Sequence, residues 1–399
     1  MNQEKKGPEP ADVEWKTFLR DVFLCSLGAY GGPEAHYGVF TDQLINRKKY
    51  ISEEELVELI ALTGLLPGPS STQTIVAIGH KMGGPVLALL TMLVWGLPVI
   101  SVMTLLSFLS QLLAHFDISQ EGLRYIGPMA VGFILVAAWQ IGRKVVHDKM
   151  TLALLLFGAL ATYWIRAPWI FPLVLITGGV VSVAMSGQKD LWNRVAITPP
   201  WPYLAAFGVF ALAGLLGAVF LDHPLMDLFE SFYRYGYLVI GGGQVVIPLM
   251  YGELVEVRQY MTSQEFLTGF GLVQGLPGPM FSFSAYAGGM AARGGSVMTQ
   301  VMGAVIAGFA IFLPGLLLIF FIIPIWEPVK RIKGIKVALK GVTAVAGGLI
   351  AIAAVVLMQR SGFVLDNLLV TGVTAALLFT KKMPAPLIVL ATLAVGFLV

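Results

Sequence analysis

Long apolar runs separated by short polar stretches dominate the chain, and their lengths predict helices. Runs at 84–112, 126–142, 150–165, 168–186, 200–221, 296–325, 341–358, 363–380 and 384–399 each approach or exceed the ~17–20 residues that span a bilayer. No period-two alternation over segments of about ten residues recurs, which argues against a membrane barrel. The pattern predicts an all-α polytopic membrane protein. Inside it, the stretch ALTGLLPGPSSTQT at 61–74 breaks an apolar region with Pro67, Gly68 and Pro69. A helix interior loses roughly 3 kcal/mol at such a proline, so the break calls for a use.

The break occurs twice. An offset of 210 residues aligns 31–84 with 241–294 without a gap and gives 13 identities, among them Leu276-Pro277-Gly278-Pro279 on Leu66-Pro67-Gly68-Pro69. The chain therefore reads as an internal duplication. A polar N-terminus, 1–16, precedes repeat 1 at 17–142. A linker with its own spans, 143–226, leads to repeat 2 at 227–358, and C-terminal spans occupy 359–399.

Basic residues suggest that the copies are inverted. Arg47, Lys48 and Lys49 face only Arg258 at the equivalent loop of copy two, whereas Arg124 faces Lys330, Arg331, Lys333, Lys336 and Lys340. Arg143, Lys144 and Lys149 then face Arg360 alone. A consistent threading lets the Gly-Gly elements (21–41, 231–250) and the hairpins (54–82, 264–292) enter the membrane and return. It places the N-terminus, 42–53, 143–149, 187–196, 327–340 and Lys381-Lys382 in the cytoplasm. Each hairpin arm has about 12 residues, or roughly 18 Å of helix, too short for a ~30 Å core. Re-entrant half-helices are expected.

Irregular backbone at membrane depth is tolerated where protein or a watery cavity receives its polar groups. Gly68 suits the turn and Pro69 the first helical position, leaving the N–H groups of Ser70, Ser71 and Thr72 free at a helix start. Such a start favours an anion, and the hydroxyls of these residues with the Gln73 amide add donors. Copy two offers Pro277, Gly278, Pro279, Ser282 and Ser284. Read singly, each break is better explained by a kink in a packing helix; the repetition favours a site. The second candidate is LGAYGGPEAHYG, 27–38, mirrored by IGGGQVVIPLM, 240–250. Gly31 and Gly32 align with Gly241 and Gly242, and Glu34 and His36 align with Gln244 and Val246. Glu34, His36 and Gln244 are candidates for coupling or gating, with a purely structural role as the alternative. Lys81 and Arg293, near the hairpin ends, either attract an anion or reach for the interface. Glu55 and Glu265 each follow a hydroxyl residue by three positions, Ser52 and Thr262, which predicts capping boxes.

Composition narrows the classes. The 399 residues are 57% hydrophobic and 12% charged, with mean hydropathy +0.80, and soluble domains carry about twice that charge. The net charge of +3 gives nucleic acid no support as a partner. Cys25 is the one cysteine, which excludes an internal disulfide, and the histidines lack metal-ligand spacing. No cofactor is expected. No phosphate-loop motif is present, so ATP is not expected to drive this chain alone. The first 16 residues lack an apolar segment, so no cleaved leader is expected.

The run GGPEAHYGVFTDQLI…YISEEELVELIALTGLLPGPSSTQ…GHKMGG, 31–84, resembles the chromate ion transporter family, its long two-domain type. The resemblance implies efflux of chromate across the inner membrane of a prokaryote, with sulfate as a related ligand and halves of opposite orientation. A tetrahedral dianion needs several donors to replace its water, which helix starts and small hydroxyls provide. Leaving an inside-negative cell, it would gain roughly 4–5 kcal/mol per 100 mV. The expectation is a secondary transporter without enzymatic activity, driven by potential or by proton coupling, in a lipid bilayer. A homodimer is left open. The alternatives are a transporter or uniporter for another anion, or a non-transport scaffold or enzyme.

Overall fold

The computed structural model describes residues 13–398 except 117, 166, 168, 189, 193, 194, 222 and 241–244. The described residues are helical and contain no strand. In repeat 1, α1 (Trp15–Gly28) ends before the Gly-Gly break, and α2 (Pro33–Phe40) continues as a π-helix, Thr41–Arg47. Then α3 (Glu53–Leu65) and α4 (Ser70–Leu106) flank the PGP turn, and α5 (Leu109–His115) and α6 (Ile126–Val145) follow. Then come α7 (Lys149–Trp164), α8 (Ile170–Met185) and α9 (Trp201–Phe220). Repeat 2 begins with α10 (Pro224–Leu238) and α11 (Val246–Tyr251), which continues as a π-helix, Gly252–Val257. Its hairpin is α12 (Ser263–Val273), a 3-10 turn (Met280–Ser282) and α13 (Phe283–Ala291). The chain finishes with α14 (Val297–Ala310), α15 (Leu313–Ile322), α16 (Trp326–Val329), α17 (Lys333–Ser361), α18 (Leu365–Thr380) and α19 (Ala385–Leu398).

The duplication extends to backbone detail. Both π-helices end on equivalent wide bonds, Lys48 N–H to Gln43 O and Arg258 N–H to Glu253 O. Equivalent residues then take the left-handed conformation, Lys49 at φ 55° and Gln259 at φ 52°. Both predicted capping boxes form in full, Ser52 with Glu55 and Thr262 with Glu265. Local sequence thus starts α3 and α12 in the same way.

Five helical segments are long and apolar enough to cross a membrane: Ser70–Leu106, Gln120–Val145, Trp201–Phe220, Val297–Val329 and Lys333–Ser361. Four of the nine predicted runs instead fold as helices of 14–16 residues, α7, α8, α18 and α19. At 1.5 Å per residue these reach only about 21–24 Å, because flanking apolar residues go into loops. α4 is bent where Gly83 and Gly84 leave helical geometry, so 70–82 is a half-helix continuing into a longer one.

The hairpins close on themselves and open at opposite ends of the molecule. The arms of the first meet at the ion pair Glu55–Lys81, and those of the second at Glu265–Arg293. Near the first mouth, Glu58 holds Lys330 at 2.6 Å, just before α17. Near the second, Gln264 donates to Leu123 O at 3.3 Å, just before α6. The start of α17 lies with Asp148 (Lys340, 2.7 Å) beyond the end of α6, while its far end carries the Arg360–Glu256 pair at 2.8 Å. α6 and α17 therefore run between the two ends in opposite directions. The repeats have inverted topology.

Lipid tails are as apolar as a leucine side chain, so close packing rather than water exclusion holds such helices together. Small residues supply it. A Cβ on Gly341 would stand 2.0 Å from Gly178 O, one on Gly348 2.0 Å from Leu155 O, and one on Gly288 2.4 Å from Gly303 O. α17 is thereby clamped between α7 and α8, and α13 against α14.

Candidate functional site

Each PGP turn is tied to the other repeat by one of a reciprocal pair of backbone bonds. Gly68 N–H donates to Val239 O at 2.7 Å, and Gly278 N–H donates to Ala29 O at 2.8 Å. Donors and acceptors are both repeat equivalents, each 210 residues apart. Each turn is therefore seated on the other repeat, at the carbonyl preceding its Gly-Gly break. A second contact repeats the exchange: Gly278 faces Val99, just after Pro98, and Pro69 faces Gly315, just after Pro314. Gly68 (φ 129°) and Gly278 (φ 104°) occupy backbone conformations that L side chains rarely adopt. Gly31 (φ 86°) and Gly32 (φ 91°) do the same at the first break. Pro67 and Pro277 complete the turns, but Pro69 and Pro279 are N-cap residues rather than the first helical positions, their ψ of 96° and 123° being extended.

At the start of α4 the first N–H to find a backbone acceptor is that of Gln73, bonded to Pro69 O at 2.9 Å. Those of Ser70, Ser71 and Thr72 precede it, as expected. Their side chains behave differently. Ser71 Oγ lies 2.9 Å from His36 Nδ1, and Thr72 Oγ1 accepts from Trp95 Nε1 at 3.2 Å. These hydroxyls are turned sideways into a buried aromatic cluster of His36, Phe40 and Trp95. Ser284 donates back to Phe281 O at 2.7 Å. The short polar side chains thus find nearby acceptors and do not all converge in front of the turn.

Gln73 reaches back across the turn. Its Nε2 donates to Pro67 O at 2.8 Å and Gly315 O at 3.4 Å, and it fills the space where a Cβ on Gly68 would sit. Its Oε1 is buried without a hydrogen-bond partner. Ser282 Oγ and Gln274 Nε2 are likewise buried and unpartnered at the second turn. Three of the five such atoms among the described residues belong to the two turns. Buried polar groups are ordinarily satisfied, so this concentration marks where a polar ligand or water belongs.

The other candidates divide. Glu34 and His36 share α2 but point apart: His36 is buried on Ser71, whereas Glu34 is exposed and paired with Lys144. Glu34 is thus a surface ion-pair residue of α2, not a buried charge beside the turns. Lys81 and Arg293 are not free cations near a ligand; each closes a hairpin mouth on Glu55 or Glu265. Gly241, Gly242 and Gln244 lie outside the described residues. Gln274 and Trp95 were not among the sequence candidates. Gln274, two residues before Leu276-Pro277-Gly278-Pro279, carries a legible signal as an amide at the apolar end of the arm, but Trp95 gives none.

The protein-family model described as chromate transporter matches twice, at residues 16–183 and 226–397. Each match runs past the repeat bounds expected from sequence to take in α7 and α8 or α18 and α19. The probable chromate transport protein of Synechococcus elongatus is 27% identical over 380 residues, covering 93% of this chain and 92% of its own. The chromate transport protein of Cupriavidus metallidurans is 27% identical over 388 residues, 95% and 90% of the two chains. That of Pseudomonas aeruginosa is 26% identical over 410 residues, 98% and 94%. No solved structure matches. With two family matches, two inverted repeats and reciprocal PGP turns, this chain belongs to the chromate transporter family.

Proposed function

We propose that this protein is a secondary transporter that moves chromate, or a related tetrahedral oxyanion such as sulfate, outward across the plasma membrane of a prokaryotic cell. The reciprocal seating of the PGP turns carries the reading, because it sets two half-helix starts and their unpartnered polar groups at the interface of inverted repeats. Substrate binds there, held by the N–H groups of Ser70, Ser71 and Thr72 and by Ser282 and Gln274, and movement of one repeat against the other alternates access. The names of the relatives support chromate. The membrane potential supplies the driving force, since an anion leaving an inside-negative cell moves down it. The ends bearing Lys330, Lys340 and Lys144 face the cytoplasm, following the basic-residue rule. Another anion is the alternative substrate.

Purified protein in liposomes tests this directly. Chromate at equal concentration on both sides should move when a potential is imposed and should stop when the potential is removed. If neither chromate nor sulfate moves at any potential, the reading fails.

A further inference from the structure

The turns contain a mismatch for a fully ionised oxyanion. Such an ion carries only acceptors, yet Gln73 presents a buried acceptor, Oε1, with no donor to meet it. An amide flip does not remove it. Nε2 faces two carbonyls, Pro67 O and Gly315 O, so exchanging the atoms would set oxygen against oxygen. Oε1 stands 3.3 Å from the Cβ position of Gly68, at the turn itself, and Gln73 is only 2% exposed. Most cations nearby are already paired, and Lys336 lines a cavity with Gly64 and Leu65, just before the first turn. On the elements around the first turn, His36 is engaged with Ser71, and Arg234 of α10 is held by Glu230 and Glu253. Lys81 is paired with Glu55 and Lys330 with Glu58 at the hairpin mouth, His80 lies against Phe320, and α15 offers no charged residue. Around the second turn, Arg293 is paired with Glu265, and Lys48 and Tyr50 gather on Asp21 of α1.

Resting on the chromate part of the function proposed above, we infer that the species bound between the turns is a tetrahedral oxyanion that keeps one proton, hydrogen chromate for chromate. Sulfate, fully ionised at neutral pH, is then a poor substrate. Its O–H donates to Gln73 Oε1. Its remaining oxygens accept from the N–H groups of Ser71 and Thr72, from Ser282 Oγ and from Gln274 Nε2. One acceptor and several donors match one hydroxyl and three bare oxygens. The monoanion also needs less compensating charge than the dianion, which suits turns whose neighbouring cations are mostly paired with carboxylates. Each chromate then crosses with one proton of its own, which binds on entry and dissociates into solution on exit.

The charge moved per chromate decides the matter. Full-length protein in liposomes receives a tenfold chromate gradient at equal pH, well above the ionisation of hydrogen chromate. Movement should reverse at about 59 mV for one charge, against about 30 mV for two. A one-unit pH difference should shift the reversal by a further 59 mV or so. Reversal at about 30 mV, unmoved by pH, overturns the protonated species and leaves the transport reading standing; absence of chromate movement at every potential removes both. Selenate, a tetrahedral ion without a proton at neutral pH, should compete at least about tenfold more weakly than chromate, and equal competition overturns the inference. Gln73→Met should weaken chromate binding by about tenfold, whereas unchanged or tighter binding overturns it. Should that variant fail to fold, the two wild-type measurements carry the test.

Discussion

At the residue scale, the glycines of the turns and the unpartnered atoms beside them make opposite demands. A Cβ on Gly68 would lie 2.5 Å from Gln73 Nε2 at a φ of 129°. Gly68→Ala should therefore cost about 1–3 kcal/mol in strain and abolish transport, read by thermal unfolding and flux on the same sample. Ser282→Ala should do the reverse. Its hydroxyl is buried without a partner, so removing it leaves stability unchanged or raised while chromate binding weakens about tenfold. A Ser282→Ala protein with intact binding would remove this residue from the site. Turn glycines and prolines were legible because only those residue types fit such backbone. The sideways bonding of Ser71 and Thr72 was not, since it depends on His36 arriving from α2 and on Trp95 folding back from beyond the bend of α4.

At the element scale, each re-entrant hairpin is a closed unit, begun by a capping box and fastened at its mouth by an ion pair. The mouths differ in exposure: Lys81 and Glu55 are 40% and 38% exposed, Arg293 and Glu265 34% and 24%. Double-mutant cycles should give about 0.2–1 kcal/mol for the first pair and more for the second, whose guanidinium engages both carboxylate oxygens. Neither cycle should alter chromate affinity, because both pairs stand a dozen residues from the turns. Between α6 and α7, Asp148 caps α7 through Thr151 and accepts from Lys340. The Lys340 ammonium, followed by the bonds from Thr151, holds its carboxyl well below the usual carboxylate range. A depressed value means that the contribution is present above the ordinary Asp value of about 4 and fades as pH falls towards the folded one. Asp148→Asn should remove that part of the acid dependence of unfolding; an unaltered acid limb would show that the pair contributes nothing.

At the scale of the whole molecule, inversion makes a pair of equivalent turns into one interface. α17 runs from the end that holds Lys330 and Asp148 to the end that holds Glu256, while α8 returns alongside it, with Ser182 Oγ donating to Val337 O at 2.7 Å. Cysteines placed at Ser186 and Ser361 in a Cys25→Ser background should thus label from opposite sides of the membrane. Labelling from one side would contradict the threading. Exchange of each turn into the other repeat also means that motion must break or carry along the Gly68–Val239 and Gly278–Ala29 bonds together.

The amino-acid sequence by itself determined the helical membrane class, the duplication and its inversion, the capping boxes, and the places where helices must break. These follow from local causes: apolar run length, glycine and proline backbone limits, and the side on which basic loops fall. Only the tertiary structure decided which polar atoms stay unpartnered, which hydroxyls are spent on neighbours, and that Lys81 and Arg293 fasten hairpins. It also showed that Glu34 turns outward to Lys144 while His36 turns inward. Those outcomes depend on residues from tens to hundreds of positions apart meeting in space, as His36 meets Ser71 and Gln73 meets Gly315, and no local pattern encodes such meetings.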